Sequence, residues 1–289
     1  MRATRRVSAM MASAALALAI AVPVDAQGKS GGKGKGPKSS PPSSSPLPSP
    51  TTGPAAGASP LAWLDDASLL APGSMALTIS AVRWSGTDLS EVNVPVVDAS
   101  VGIAPRFQLG ASVPRVVGSS DGAGPSGGLG TSYVSGKIAL LTGASGVKLA
   151  VSPVLEILSA DAVQASAVGE SRTQVGVPVS LEVAQGPARV FASTGFFSRG
   201  VWFAGGGVGI QAAPKVAVSL SFTRAWAGDA ANNVTGDRRE LSAGGSYFVT
   251  PRVGVYGALG RTIATTDANG AGTTISGGVS FLFTAHIVQ

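Results

Sequence analysis

The chain contains no cysteine and one histidine, and only 12% of its 289 residues are charged. Without cysteine there is no disulfide, no thiolate metal site and no lipidated cysteine at a mature N-terminus. His286 stands alone in a C-terminal tail, so neither a Ser-His nor an Asp-His relay can be assembled, and a metal would have only scattered carboxylates. The expectation is a protein that is not an enzyme and holds no cofactor and no metal. The charged fraction is about half that of an ordinary soluble domain. Beyond the N-terminal apolar run no segment offers about 18 uninterrupted apolar residues, so no later helix is expected to span a membrane. The net charge of +6 looks like an invitation to nucleic acid until it is located. Residues 1–60 hold seven Lys/Arg against the single acid Asp25, whereas residues 61–289 hold fourteen of each sign. The body is neutral, and a nucleic-acid partner is excluded on that ground.

What is present begins with Arg2, Arg5 and Arg6, an apolar stretch from about Val7 to Val22, and Val24-Asp25-Ala26, a small-x-small cleavage pattern. Residues 1–26 therefore read as a secretory signal peptide. Residues 27–60 are almost entirely Gly, Ser, Pro, Lys, Thr and Ala, a composition unable to bury enough apolar surface to offset its ordering entropy, and read as a disordered periplasmic linker. Across residues 61–73, Ser59-Pro60 precedes Leu61, Trp63, Leu64, Leu69 and Leu70, with Pro72-Gly73 as a stop. This predicts a short helix or cap segment at or inside the mouth of the domain that begins at residue 74.

From Ser74 the dominant period is two. Val175, Val177, Val179, Leu181 and Val183 alternate with Gln174, Gly176, Pro178, Ser180 and Glu182; Phe107–Val113 and Val216–Thr223 repeat the pattern. Twelve such segments lie near 74–84, 91–103, 106–116, 131–142, 147–158, 172–184, 188–197, 200–211, 215–226, 239–249, 252–263 and 273–284. Most reach the roughly 9–11 residues that a tilted strand needs to cross a bilayer, well beyond the usual soluble strand. Their connections alternate between tight and long, and four tight ones carry Pro with a base at once or one residue later (Pro105-Arg106, Pro187-Ala188-Arg189, Pro214-Lys215, Pro251-Arg252). One rim of short turns and one of long loops is the asymmetry of a transmembrane antiparallel up-and-down β-barrel, here spanning 74–284 with about twelve strands and a tail at 285–289.

Face chemistry agrees. The second face of each strand is Gly, Ala, Ser and Thr with few charges, unlike the charged exterior of a secreted sandwich, and 40 glycines would weaken a two-sheet core. Trp84, Phe196, Phe197, Trp226, Tyr247, Phe248, Phe281 and Phe283 fall near strand ends, where interfacial girdles belong. A secreted β-sandwich or adhesin domain is the alternative.

The stretches Val101-Gly-Ile-Ala-Pro-Arg-Phe-Gln-Leu-Gly-Ala-Ser-Val-Pro, Gly244-Gly-Ser-Tyr-Phe-Val-Thr-Pro-Arg-Val and Pro72-Gly-Ser-Met-Ala-Leu resemble small bacterial outer-membrane barrels of the passive transporter or porin kind, including those of the meta-pathway of phenol degradation. The resemblance covers residues 70–284 in pattern. It implies a Gram-negative outer-membrane location, outer-membrane lipids and the barrel-assembly machinery as partners, and diffusion of small apolar or aromatic solutes. Such barrels end on a terminal aromatic, whereas here Phe281 and Phe283 are succeeded by Thr-Ala-His-Ile-Val-Gln.

Gly122-Ala-Gly-Pro-Ser-Gly127 matches a dinucleotide fingerprint literally but has Pro125 inside and no βαβ unit around it, so it reads as an outer loop. With Val, Leu and Phe faces outward, the lumen is expected to be lined by Asn93, Asp98, Gln108, Lys137, Lys148, Glu156, Gln174, Glu182, Ser219, Ser221, Ser242 and Ser246. The hairpin of 147–158 and 172–184, in a symmetric register about Ala165, sets Lys148 opposite Glu182 and Glu156 opposite Gln174. Two functions are compatible with such a barrel: a passive channel or transporter whose polar lining screens small solutes, or a non-conducting structural or surface-interaction barrel.

Overall fold

The computed structural model describes residues 66–87, 90–120, 125–143, 146–158, 172–198, 200–227, 237–266 and 270–284. The expected signal peptide and linker, residues 61–65 and the expected tail lie outside these. The strands are β1 (Ser74–Ser85), β2 (Ser90–Ala104), β3 (Phe107–Ser120), β4 (Pro125–Leu129), β5 (Ser132–Thr142), β6 (Val147–Val151), β7 (Val154–Ile157), β8 (Thr173–Gly176), β9 (Val179–Gln185), β10 (Ala188–Phe197), β11 (Val201–Ala213), β12 (Val216–Ala227), β13 (Arg238–Thr250), β14 (Val253–Thr265) and β15 (Thr273–Thr284). Every pairing is antiparallel, and β1 pairs β15 from Ser74–Thr284 to Ser85–Thr273, which closes the sheet. Because β4 and β5, β6 and β7, and β8 and β9 each continue one line of the wall, the fifteen pieces make a twelve-stranded barrel.

Interruptions have local causes. Pro153 and Pro178 lack the N–H a ladder needs, so the wall breaks beside each, and Ser152 N donating to Pro178 O at 2.8 Å holds the two breaks together. Four connections on one rim are two-residue turns, Pro105-Arg106, Gly186-Pro187, Pro214-Lys215 and Pro251-Arg252; Gly186 takes a left-handed φ of 58° that a side chain would resist. The expected long loop over 117–130 is mostly hairpin, since β3 runs to Ser120 and β4 starts at Pro125.

An inside-out arrangement of faces explains the composition. Ile79, Leu109, Val179, Leu181, Leu220 and Leu259 are exposed on the outer face, while Thr78, Ser80, Ser112, Ser180 and Glu182 are buried on the inner one. An apolar exterior around a polar interior suits hydrocarbon outside and excludes the sandwich reading, in which these faces would be exchanged. Phe196, Trp202 and Trp226 cluster on the outside near the long-loop rim, with Phe196 and Trp202 ring centroids 4.9 Å apart and Trp202 opposite Trp226. Tyr247 and Phe283 mark the other rim. Trp84 and Phe197, expected in these girdles, instead point inward and are buried, because their parity matches that of Ser80 and Ser193.

Glycine has a packing role inside. Phe203 lies across Gly195, Phe197 across Gly176 and Phe191 across Gly207, each so close that a Cβ on the glycine would come within 2.4 to 2.7 Å of the ring. Large inner side chains are thus accommodated by the neighbouring strand having none.

Candidate functional site: the barrel lumen

Residues 66–73 form no helix; they run from the short-turn rim into the lumen. Gly73 N donates to Gly102 O at 2.8 Å, and the carbonyl oxygens of Leu70 and Ala71 lie 2.6 and 2.3 Å from where a Cβ on Gly102 would be. Gly102 is therefore the doorway that lets the segment lie flat on β2. Deeper in, Leu70 N donates to Gln108 Oε1 at 2.8 Å. Lys137 Nζ donates to the backbone oxygens of Asp66 and Ser68 at 3.1 and 3.3 Å. Arg189 Nη1 donates to Asp66 Oδ2 at 2.7 Å and stands 3.9 Å from Glu182.

Ser68 is the joint of this network. Its hydroxyl accepts from Lys148 Nζ at 2.8 Å and donates to Glu182 Oε2 at 2.9 Å, while Lys148 Nζ also reaches Glu182 Oε1 at 2.7 Å. Glu182, only 1% exposed, is thus bonded on both oxygens, as a buried carboxylate must be. The register places Lys148 opposite Glu182 and Glu156 opposite Gln174, as the symmetric hairpin requires, and Gln174 donates to Glu156.

The other expected lining residues lie apart from this cluster. Asp98 is buried between Thr78 and Ser112 in the register, and Asn93 donates to Glu91 at 2.6 Å nearer the long-loop rim. Ser219, Ser221, Ser242 and Ser246 project inward from β12 and β13, half-buried, with glycine and alanine beside them, so the inner wall is low there. Toward the long loops the interior fills: Val82 packs Val96, and Phe197, Val201, Phe203 and Ala225 form a second apolar cluster. Beside them Arg238, buried, stacks over Trp84 at 5.4 Å, donates to Thr262 Oγ1 at 2.9 Å and sits 3.7 Å from Glu240. Outside the spanning part, the Arg224 guanidinium bonded to Asp237 at 2.7 Å holds that carboxyl below its usual range.

Sequence reasoning missed Asp66, Ser68, Arg189, Arg238 and Glu240. The last two were reachable by continuing the inward parity of Ser246 and Ser242 to 240 and 238. Arg189 was not, because Ala188–Phe197 carries apolar residues on both faces.

No protein-family model matches the chain, and no curated protein does. Among solved structures it is similar to an outer membrane channel from Pseudomonas putida F1, at 14% identity and TM-score 0.59 over 75% of this chain and 98% of that one. It is also similar to the NanC porin, at 13% identity and TM-score 0.54 over 71% and 98%. The likeness to the KdgM porin is at 12% identity and TM-score 0.50 over 71% and 99%.

Proposed function

From a chain with the fold of outer-membrane channels and porins, we propose a passive outer-membrane channel for small solutes. The observation that carries it is the low inner wall of β12 and β13: Ser219, Ser221 and Ser242 lie inside a closed barrel and are only half-buried. A barrel filled as a mere anchor would bury them as it buries Ser180 and Ser193. Toward the long loops the interior holds two buried apolar clusters, Phe197 with Phe203 and Val82 with Val96, and small solutes with an apolar or aromatic body are the class proposed to pass. The short-turn rim, where 66–73 enters, faces the periplasm and the long loops face outside. Outer-membrane lipid and the barrel-assembly machinery are its partners in that setting.

Purified protein in planar bilayers tests the reading. Discrete conductance steps, lowered by Ser219→Trp on the low wall, are the expected outcome; a silent barrel at all voltages and salts overturns it. Orientation is tested by single cysteines in this cysteine-free chain: one at Asn232 labels on whole cells and one at Ala213 does not, and the reverse pattern inverts the topology.

A further inference from the structure

Three cationic side chains, Lys137, Lys148 and Arg189, converge on one place at the inner mouth, and the chain's own residues 66–70 lie on them. What the segment presents is the chemistry of a small carboxylate with polar neighbours. The Asp66 carboxylate takes Arg189 at 2.7 Å, the Ser68 hydroxyl takes Lys148, and two backbone carbonyl oxygens take Lys137. The segment is not built into the wall: no strand pairing holds residues 66–70, and the backbone contacts at Ala71 and Gly73 anchor only its exit.

We infer that residues 66–70 are a self-supplied ligand of an anion-binding mouth, displaced by small carboxylate solutes. Withdrawing the segment takes the Asp66 carboxylate from Arg189, while Glu182 stays beside Lys148 and Arg189. A solute carboxylate takes the place that Asp66 leaves, so its binding and the opening of the mouth are one equilibrium. The inference deepens the channel reading, on which it rests, by naming an anionic group on the solute, and its test does not depend on conductance.

The probe is a single cysteine, Ala67→Cys, at a buried position of the segment in a chain without other thiols, labelled with a hydrophilic maleimide in detergent-solubilised, heat-modifiable protein. In the otherwise wild-type chain labelling is at least tenfold slower than in urea. Gly102→Val, which drives a side chain into the Leu70 and Ala71 carbonyls without touching a charge, raises the folded rate at least tenfold. Asp66→Asn, which leaves the doorway intact, raises it severalfold and serves if the valine variant does not fold. Malonate accelerates labelling of the otherwise wild-type chain at least threefold over chloride at equal ionic strength. Fast labelling before any change, no response to either variant, or equal rates in malonate and chloride each overturns the inference. If Gly102→Val labels fast, malonate accelerates labelling and no variant conducts in bilayers, the channel reading fails and the anion mouth stands.

Discussion

Two walls of one lumen are built by different rules. Along β9 and β10 the inner face is crowded: Ser180, Glu182, Phe191, Ser193 and Phe197 are buried, Glu182 on the entering segment and Phe197 across Gly176. Along β12 and β13, at the same parity of the same repeat, the inner face of the half nearer the short turns carries serine, glycine and alanine and is only half-buried, whereas nearer the long loops Thr223, Ala225, Arg238 and Glu240 are buried. Both alternate with period two, and both present valine, leucine or aromatic residues to the outside. Strand pattern therefore decides inside against outside, while side-chain size on the inner parity decides whether the inside is wall or passage.

The largest effect that sharpens this contrast comes from arginine. Val179→Arg, on the outer face midway along the line that β8 and β9 share, is expected to cost roughly 2–4 kcal/mol by placing a charge in hydrocarbon. Ser219→Arg, inward on the low wall, is expected to fold normally and to shift any ion selectivity toward anions. Heat-modifiable mobility and urea midpoints read the first, reversal potentials the second. Ser180 does not serve as an inward control, because it is wholly buried in the crowded wall.

Glycine gives the next comparison. Gly195→Ala would bring a Cβ to 2.4 Å from Phe203 and 2.8 Å from the Pro178 backbone, and such overpacking is expected to cost about 1–3 kcal/mol in urea midpoints. Gly244→Ala on the low wall meets nothing nearer than 3.4 Å and is expected to be neutral or slightly stabilising. Equal destabilisation would erase the distinction between the walls.

A smaller effect lies in the pair Lys148–Glu182, 2.7 Å apart with Lys148 partly in water. A double-mutant cycle of Lys148→Met and Glu182→Gln is expected to show a coupling of about 1 kcal/mol in urea midpoints, and additivity would mean the charges act separately. The smallest is Asp237. Pairing with Arg224 lowers its folded carboxyl below the ordinary aspartate value, so the pair contributes stability above that value and loses it as pH falls through the lower folded one. Asp237→Asn is expected to flatten the acid limb of stability by less than about 1 kcal/mol.

How much of this was legible rests on the same physics. The barrel, its strand number and the Lys148–Glu182 register were readable, because lipid outside and a period of two leave one consistent assignment of faces. Phe191, Phe197 and Phe203 were not, since the rule that aromatics face lipid has no term for a glycine across the strand that makes room for a ring inside. Residues 66–70 were placed at the mouth but read as potentially helical, because Leu69, Leu70 and Pro72 show only local propensity. Their conformation is set by Lys137, Arg189 and Glu182, which lie far away in sequence.

That distance has a consequence for how the molecule is made. Ser68 and Glu182 are separated by 114 positions and Asp66 and Arg189 by 123, with all of β1 to β8 between the partners of each pair. The partners of the segment do not exist until most of the wall is in register, so the contacts at the mouth are a late event of folding. A barrel with β9 shifted by one residue would turn Glu182 toward lipid and offer the segment nothing to hold. Occupancy of the mouth thus depends on the register of a wall whose strands lie far along the chain.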